Sequence, residues 1–82
     1  MHFVYILKSE KDLGYYIGCS SDVQFRFKQH DNGLVSSTKH RRQLELIYYE
    51  AYNIKELAVR REINLKKFGS AYSGLLKRIN EK

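Results

Sequence analysis

Two short apolar segments near the start of the chain constrain the fold most. Phe3 to Leu7 and Tyr15 to Gly18 are rich in strand-forming side chains, and the polar stretch Glu10 to Leu13 lies between them. β-Branched and aromatic residues fit the pleated surface of a strand, and a polar stretch between two such segments is typical of a turn. The pattern therefore predicts a β-hairpin.

The register of this hairpin decides which side chains meet. If the polar stretch forms a four-residue loop, Tyr5 lies opposite Gly18 and Leu7 lies opposite Tyr16. Tyr5 and Tyr16 then share one face of the hairpin as diagonal neighbours, about 7 Å apart at Cα. Gly18 leaves space beside Tyr5. A slip of one residue would place the two tyrosines on opposite faces.

Capping and periodicity signals divide the rest of the chain. Ser21 and Gln24 form a capping box that predicts a helix from Asp22 to about Asp31, ended by Asn32-Gly33. Leu44 to Tyr52 is predicted to form a third strand. Two helices follow: one capped by Asn53, running from Ile54 to about Phe68 and stopped by Gly69, and one from Ser70 to Ile79 with Leu75, Leu76 and Ile79 as its buried edge. The order β-β-α-β-α-α predicts an α+β fold, an α/β sandwich in which a small three-stranded antiparallel sheet is flanked by helices.

The composition bounds the size and the partners of the protein. The 82 residues are 43% hydrophobic, which suffices for one small core, and we expect residues 1–82 to form a single domain. The formal net charge of +6 suits a polyanionic partner such as nucleic acid. A single cysteine allows no internal disulfide, and the start of the chain has neither a basic segment nor a long apolar run. We therefore expect a cytoplasmic protein with no membrane partner.

Ionisable residues interrupt the apolar faces of two predicted helices. At about 100° per residue, the first helix places Arg26 and His30 on the stripe of Val23 and Phe27, while Phe25 points away. In the second helix Arg61 and Glu62 interrupt the stripe formed by Ile54, Leu57, Ala58, Leu65 and Phe68. Because unpaired buried charge is costly, each face must offer these groups a partner or a wet cleft.

Two interpretations of these residues remain open. The first is structural: Glu62 forms an ion pair with Arg26 or Arg61 at the margin of the core, His30 is a hydrogen-bonded core histidine, and the two strand tyrosines are core residues. The second is a functional cleft. A zinc site built from Cys19, His30 and His40 is disfavoured, because no pair among these residues has a known ligand spacing.

Several segments together resemble the GIY-YIG endonuclease superfamily, and in particular small stand-alone members similar to the amino-terminal nuclease domain of UvrC. The matching segments are Phe3-Val4-Tyr5, Tyr16-Ile17-Gly18, the helix with Arg26 and His30, the strand Leu46 to Glu50, and Ala58-x-x-Arg61-Glu62 followed by Lys66-Lys67-Phe68. Phe3 and Val4 replace the Gly and Ile of the name. Cys19 stands where UvrC-like members often have a lysine, and basic residues from Lys39 to Arg42 would replace that cation.

The resemblance implies a metal-dependent endonuclease that hydrolyses phosphodiester bonds of DNA, with Tyr5, Tyr16, Arg26, His30 and Glu62 as catalytic residues. Glu62 would bind one divalent cation, Mg²⁺ or Mn²⁺. Arg26 would bind the scissile phosphate through its planar fork, and either Tyr5 or His30 would be the general base. The alternative is a catalytically weak or inactive nucleic-acid-binding module.

The basic residues are expected to contact DNA phosphates. The segment Leu34 to Gln43 lacks periodicity and is predicted to be a mobile basic loop. The predicted phosphate contacts are Lys39, His40, Arg41, Arg42, Lys66 and Lys67. Since no sequence-specific DNA-binding domain is apparent, substrate choice would be structure-selective or weakly sequence-specific. A protein partner or a homodimer would supply specificity. The expected role is in DNA repair or recombination.

Overall fold

The computed structural model describes residues 1–41 and 43–80 and confirms the predicted element order. The elements are β1 (His2–Ser9), β2 (Tyr15–Ser20), α1 (Val23–Asp31), β3 (Leu44–Tyr52), α2 (Lys55–Leu65) and α3 (Ser70–Asn80). The three strands form one sheet in the order β2-β1-β3, and both pairings are antiparallel. The predicted α+β fold is therefore confirmed. None of the described helices is long and apolar enough to cross a membrane.

The hairpin has the predicted register. The N–H of Ser9 donates to the carbonyl of Gly14 at 2.9 Å, which closes a four-residue loop. As a result Tyr5 pairs with Gly18 and Leu7 pairs with Tyr16. The two tyrosines lie on one face, with ring centroids 6.4 Å apart.

The central strand β1 is buried on both faces, as expected for the middle strand of a covered sheet. Val4 and Ile6 pack with Ile17 of β2, Ala58 and Leu65 of α2 and Leu75 of α3. On the opposite face, Tyr5 and Leu7 pack with Val23 of α1 and Leu44 of β3. Helices α2 and α3 thus cover one face of the sheet, and α1 covers the face that carries Tyr5.

Gly18 permits the close approach of Tyr5. A Cβ atom at position 18 would collide with the ring carbon Cζ and the hydroxyl oxygen of Tyr5. Only a residue without a side chain leaves room for the buried phenol on this face of the hairpin.

Two helix boundaries differ from the prediction. Asp22, not Ser21, caps α1, because its Oδ1 accepts a hydrogen bond from the N–H of Phe25 at 3.0 Å. Helix α2 begins at Lys55, and its cap residue Ile54 makes no capping bond through its side chain, so the predicted cap at Asn53 is wrong. The predicted end of α1 is confirmed, with Gly33 at a positive φ of 76°.

The end of α2 also differs. The helix ends at Leu65 rather than near Phe68. Phe68, not Gly69, takes the left-handed backbone conformation, with φ of 55°. Its N–H donates to the carbonyl of Leu65 at 3.0 Å, which closes the turn after the helix.

The predicted apolar stripe of α2 is only partly buried. Ala58 and Leu65 are fully covered, whereas Ile54, Leu57 and Phe68 are exposed. Because Ala58 is small, helix α2 can lie close to the sheet. The residues that flank Ala58 on the helix surface make polar contacts instead of apolar ones. The stripe of α1 is confirmed, because Val23 and His30 are buried and Phe25 is exposed.

Arg61 forms an ion pair with Glu50 of β3. Its Nε and Nη2 donate to the two carboxylate oxygens at 3.0 and 3.1 Å. The hydroxyls of Tyr48 and Tyr52 donate to the same carboxylate at 2.7 and 2.9 Å. Burial opposes ionisation of Glu50, but the hydrogen bonds from these three side chains outweigh it and lower the pKa of the carboxyl. The predicted pairing of Glu62 with Arg26 or Arg61 is therefore wrong for Arg61, whose partner is Glu50. This two-pronged ion pair, the fork between Arg61 and Glu50, fixes α2 against β3.

The basic loop is anchored rather than mobile over residues 34–41. Val35 and Thr38 are buried, and backbone hydrogen bonds join Val35 to Thr38 and Lys39. The hydroxyl of Ser9 donates to the carbonyl of Arg41 at 2.6 Å. Buried side chains and bonds to the hairpin hold this segment, and the mobile loop of the prediction is wrong for these residues.

We expect Gly18→Ala to destabilise the protein by about 2 to 3 kcal/mol, because the added methyl group must displace the buried Tyr5 ring. Urea unfolding of the two proteins measures the difference. The matched control is Gly74→Ala in α3, where a Cβ atom meets nothing within 4 Å. That change should stabilise by about 0.5 to 1 kcal/mol, since alanine favours the helix. Equal effects of the two substitutions would contradict the steric role of Gly18.

Candidate functional site

The site centres on a buried hydrogen bond between the sheet and α1. The hydroxyl of Tyr5 lies 2.9 Å from Nε2 of His30, and both residues are at most 1% exposed. Tyr5 projects from the central strand, and His30 projects from the last turn of α1 toward it. The predicted convergence of these two residues is thus present.

Tyr16 completes an aromatic cluster around this bond. Its ring centroid lies 4.9 Å from that of His30, and the Tyr5 and His30 centroids are 5.8 Å apart. Tyr16 is half-buried, because β2 is an edge strand. The cluster is therefore buried at Tyr5 and His30 and open to solvent at Tyr16.

Thr38 is a contact of the site that sequence reasoning did not identify. Its Oγ1 lies 2.7 Å from Nδ1 of His30, and the side chain is fully buried. The threonine hydroxyl also donates to the carbonyl of Val35 at 3.5 Å. Thr38 stands in a polar segment without periodicity, so no sequence signal distinguished it from a solvated loop residue.

Arg26 lies on the half-buried side of α1, one helical turn before His30. Its Nη1 donates to Oε1 of Gln29 at 3.0 Å. The positive charge of Arg26 acts on both central residues. It lowers the pKa of His30, and it opposes the burial that raises the pKa of Tyr5. The guanidinium therefore lies beside the Tyr5 and His30 pair without an acidic partner among the described residues.

Burial moves the pKa values of this pair apart. Desolvation raises the pKa of Tyr5 to about 12, aided by the charges of Tyr16 and Glu62. Desolvation, together with Arg26, lowers the pKa of His30 to about 4. At neutral pH the phenol is protonated and the imidazole is uncharged. One imidazole nitrogen is therefore unprotonated and can accept a proton.

Glu62 of α2 lies close enough to the site for its charge to contribute to the raised pKa of Tyr5. It is half-buried, and its Oε2 lies 3.2 Å from Nζ of Lys66, one turn further along the helix. Lys66 also lies 6.0 Å from the centroid of the Tyr16 ring. The charges of Glu62 and Lys66 both act on the thiol of Cys19, whose pKa is raised chiefly by burial. The partner of Glu62 is thus Lys66, and the predicted structural pair with Arg26 is not formed.

The donor set around Glu62 suits a loosely held hard cation. Among residues 1–41 and 43–80, no three His, Cys, Asp or Glu side chains are close enough to enclose a metal ion. A hard ion such as Mg²⁺ is commonly held by one or two carboxylates, with water and substrate phosphate oxygens completing its shell. The half-exposed carboxylate fits that role and does not fit a closed structural zinc site.

The predicted phosphate-binding residues differ in availability. Lys39, His40 and Lys67 are exposed. Arg41 forms an ion pair with Asp12 at 2.9 Å and donates to the carbonyl of Tyr15 at 3.4 Å, so it fastens the loop to the hairpin. Arg42 lies outside the described residues.

Comparisons with known proteins identify the family of this chain. A family profile described as the GIY-YIG catalytic domain matches residues 1–80. A UPF0213 protein of Staphylococcus epidermidis is 43% identical over 68 residues, 82% of each chain, and one of Staphylococcus aureus is 40% identical over the same length and share.

A solved structure has the same fold. The solution NMR structure of a UPF0213 protein from Bacillus halodurans matches with a TM-score of 0.59 and 31% identity, covering 96% of this chain and 84% of that one. The family match extends over nearly the whole chain and includes the hairpin tyrosines, the helix of Arg26 and His30, and the helix of Glu62. This chain belongs to the GIY-YIG family, which is part of a nuclease superfamily.

Proposed function

We propose that this protein is a metal-dependent endonuclease that hydrolyses phosphodiester bonds of DNA. The observation that carries the proposal is the buried Tyr5 hydroxyl, which lies 2.9 Å from an uncharged His30, with the Arg26 charge beside them. Within residues 1–41 and 43–80 the Arg26 guanidinium has no acidic partner, although it lies beside this pair. A phenol, an imidazole and a guanidinium in one place can supply a proton acceptor and a phosphate-binding cation, which are roles that phosphodiester hydrolysis uses.

We infer the direction of proton transfer from the hydrogen bonds of His30. The Thr38 hydroxyl has the Val35 carbonyl as a second partner at 3.5 Å, which supports a tautomer in which the Thr38 oxygen accepts from Nδ1–H of His30. The other ring nitrogen, Nε2, is then unprotonated and accepts the hydroxyl proton of Tyr5. Tyr5 can take a proton from an attacking water as its own proton passes to His30. The two candidates for the general base therefore act as one relay.

Arg26 couples substrate binding to this relay. Its charge contributes to the low pKa of His30. A phosphodiester bound by the guanidinium would offset that charge, so the imidazole becomes a better proton acceptor when substrate is present. The same planar fork would hold two phosphoryl oxygens, a geometry that lysine cannot reproduce.

Glu62 is the residue that would hold the divalent cation, Mg²⁺ or Mn²⁺. When bound, such an ion supplies charge neutralisation at the phosphate and at the leaving oxygen. Lys66 competes for the same carboxylate at 3.2 Å and can contact phosphate when Glu62 is otherwise engaged. Lys66 and Lys55 also act on Cys19, so they supply positive charge near the position where UvrC-like members often carry a lysine.

DNA binding would use the exposed cations. Lys39, His40 and Lys67 are free to contact phosphates, Lys66 borders the site, and Arg41 serves mainly to hold the loop. Phosphate contacts carry no direct sequence information. We therefore infer a structure-selective or weakly sequence-specific nuclease that acts in cytoplasmic DNA repair or recombination, with a protein partner or second copy supplying further specificity.

A second candidate is a nucleic-acid-binding module with weak or no turnover. Two observations favour it: the pKa of Tyr5 is raised to about 12, which opposes formation of a phenolate, and Glu62 is neutralised by Lys66. The relay through His30 answers the first point, since no free phenolate is needed before the water is deprotonated. Substitutions at Glu62 and Arg26 separate the two candidates.

We expect Glu62→Gln to abolish Mg²⁺-dependent cleavage while folding and DNA binding are retained, because the amide keeps the shape and removes the charge. Cleavage of a panel of labelled DNA structures, with binding measured in parallel, tests this. Glu56→Gln, an exposed position on the same helix, is the matched control and should stay active. Full activity of Glu62→Gln would remove Glu62 from the mechanism.

Arg26→Lys should lower the cleavage rate by about 100-fold or more, because a lysine keeps the charge without the two parallel donors. The control is Arg60→Lys on the exposed face of α2, which should change the rate little. A near-normal rate for Arg26→Lys together with a lower melting temperature would indicate a structural role instead.

Thr38→Val should reduce kcat, because the buried Nδ1 of His30 loses its acceptor and the tautomer that receives the Tyr5 proton is no longer favoured. Thr38→Ser keeps the hydroxyl and should restore most of the rate. In the parent protein the rate should show no inflection near pH 6.5, since the pKa of His30 in the free protein is about 4. Equal activity of the valine and serine variants would contradict the positioning role of Thr38.

A further inference from the structure

A pocket of about 380 Å³ adjoins the site beside Tyr16. It lies next to the edge strand β2 and the end of α2. Its walls combine aromatic and cationic side chains, namely Tyr15, Tyr16, Ile17, Arg41, Lys66 and Phe68. Because Tyr16 and Lys66 belong to both places, a molecule in this pocket would be the immediate neighbour of one bound at the site.

Phe68 is the least expected member of this pocket. The residue is 62% exposed and has a positive φ of 55°. A bulky side chain is disfavoured in this backbone region, where glycine is the usual residue. The Phe68 ring makes an edge contact with Tyr72, with centroids 4.9 Å apart, which orients it without covering it. The fold therefore presents an oriented aromatic ring to solvent at a conformational cost.

The charges of the pocket match a nucleotide. Lys66 lies between Glu62 and the Tyr16 ring, so its ammonium group stands at the boundary between pocket and site. Arg41 adds a guanidinium that is held in place by Asp12. A flat aromatic surface beside fixed cations is the combination that proteins use for single-stranded nucleic acid, in which bases stack on aromatic rings and phosphates meet basic residues.

We propose that this pocket binds the unstacked base of a DNA nucleotide next to the scissile phosphate, with Phe68 as the stacking surface and Lys66 as the phosphate contact. The inference rests on the proposed function and narrows its substrate class. A paired base reaches such a pocket only after it leaves the helical stack, which is costly in intact duplex and least costly in unpaired segments. The preferred substrates are therefore DNA with unpaired nucleotides, such as flaps, gaps and single strands.

Binding without cleavage tests the pocket directly. Fluorescence anisotropy in EDTA compares a labelled single-stranded oligonucleotide, a flap and a blunt duplex. Phe68→Gly removes the ring and suits the left-handed backbone, so the protein should fold at least as stably as before. We expect it to weaken binding to the single strand and the flap by about 5- to 100-fold, the loss typical of one stacked base, with little change for blunt duplex. Phe68→Tyr should bind like the parent protein.

The chain offers a matched control in Phe25. This residue is 61% exposed on α1, on the side turned away from the site, and does not line the pocket. Phe25→Ala should leave binding to all three DNA forms unchanged. Equal losses for Phe25→Ala and Phe68→Gly, no loss for Phe68→Gly, or the same loss for duplex and single strand would each overturn the proposal.

The outcome is separable from that of the proposed function. If Phe68→Gly loses single-strand binding but the parent protein cleaves no DNA with Mg²⁺ or Mn²⁺, the nucleotide pocket stands and the nuclease assignment fails. If the parent protein cleaves DNA and Phe68→Gly cleaves and binds flaps equally well, the nuclease assignment stands and the pocket fails.

Discussion

The buried hydroxyl of Tyr5 sets the arrangement of the rest of the molecule. A phenol in the middle of a sheet must find a hydrogen-bond partner, because an unsatisfied buried hydroxyl is costly. His30 is that partner, and its own second nitrogen finds Thr38. One chain of two hydrogen bonds thus joins the central strand, the first helix and the loop that follows it. The absence of a side chain at Gly18 is what leaves the phenol room to take part.

Two groups can be distinguished among the positive charges of residues 1–41 and 43–80. Arg61 and Arg41 are joined to Glu50 and Asp12, and these pairs fasten a helix to a strand and a loop to a hairpin. Lys39 and Lys67, by contrast, project into solvent. Net charge alone does not distinguish the groups, yet only the second is available to a polyanion without a structural loss. The basic character of the chain thus serves the fold as well as any partner.

Local patterns in the sequence predicted the elements and the hairpin register, because these depend on residue type and spacing. Register placed Tyr5 and Tyr16 on one face and helical periodicity placed His30 on a buried stripe, whereas their common site was implied by the family resemblance. Ion-pair partners could not be predicted. Arg61 has acidic residues nearby in sequence, but it pairs with Glu50 on a strand packed against its helix. The anchoring of Thr38 was also missed, because its partner is set by tertiary contact and not by any local pattern. The backbone conformation of Phe68 was not predicted either, because the neighbouring Gly69 would adopt the left-handed conformation more easily.

The pairing of Arg61 with Glu50 has a consequence for the neighbouring residue Glu62 on α2. Arg61 and Glu62 are consecutive and therefore project about 100° apart around the helix axis. A rotation of the helix that moved the Glu62 carboxylate would also have to pull both donor nitrogens of Arg61 away from Glu50. The fork thus limits rotation of α2 and helps to fix the direction of the Glu62 side chain through a contact that Glu62 itself does not make.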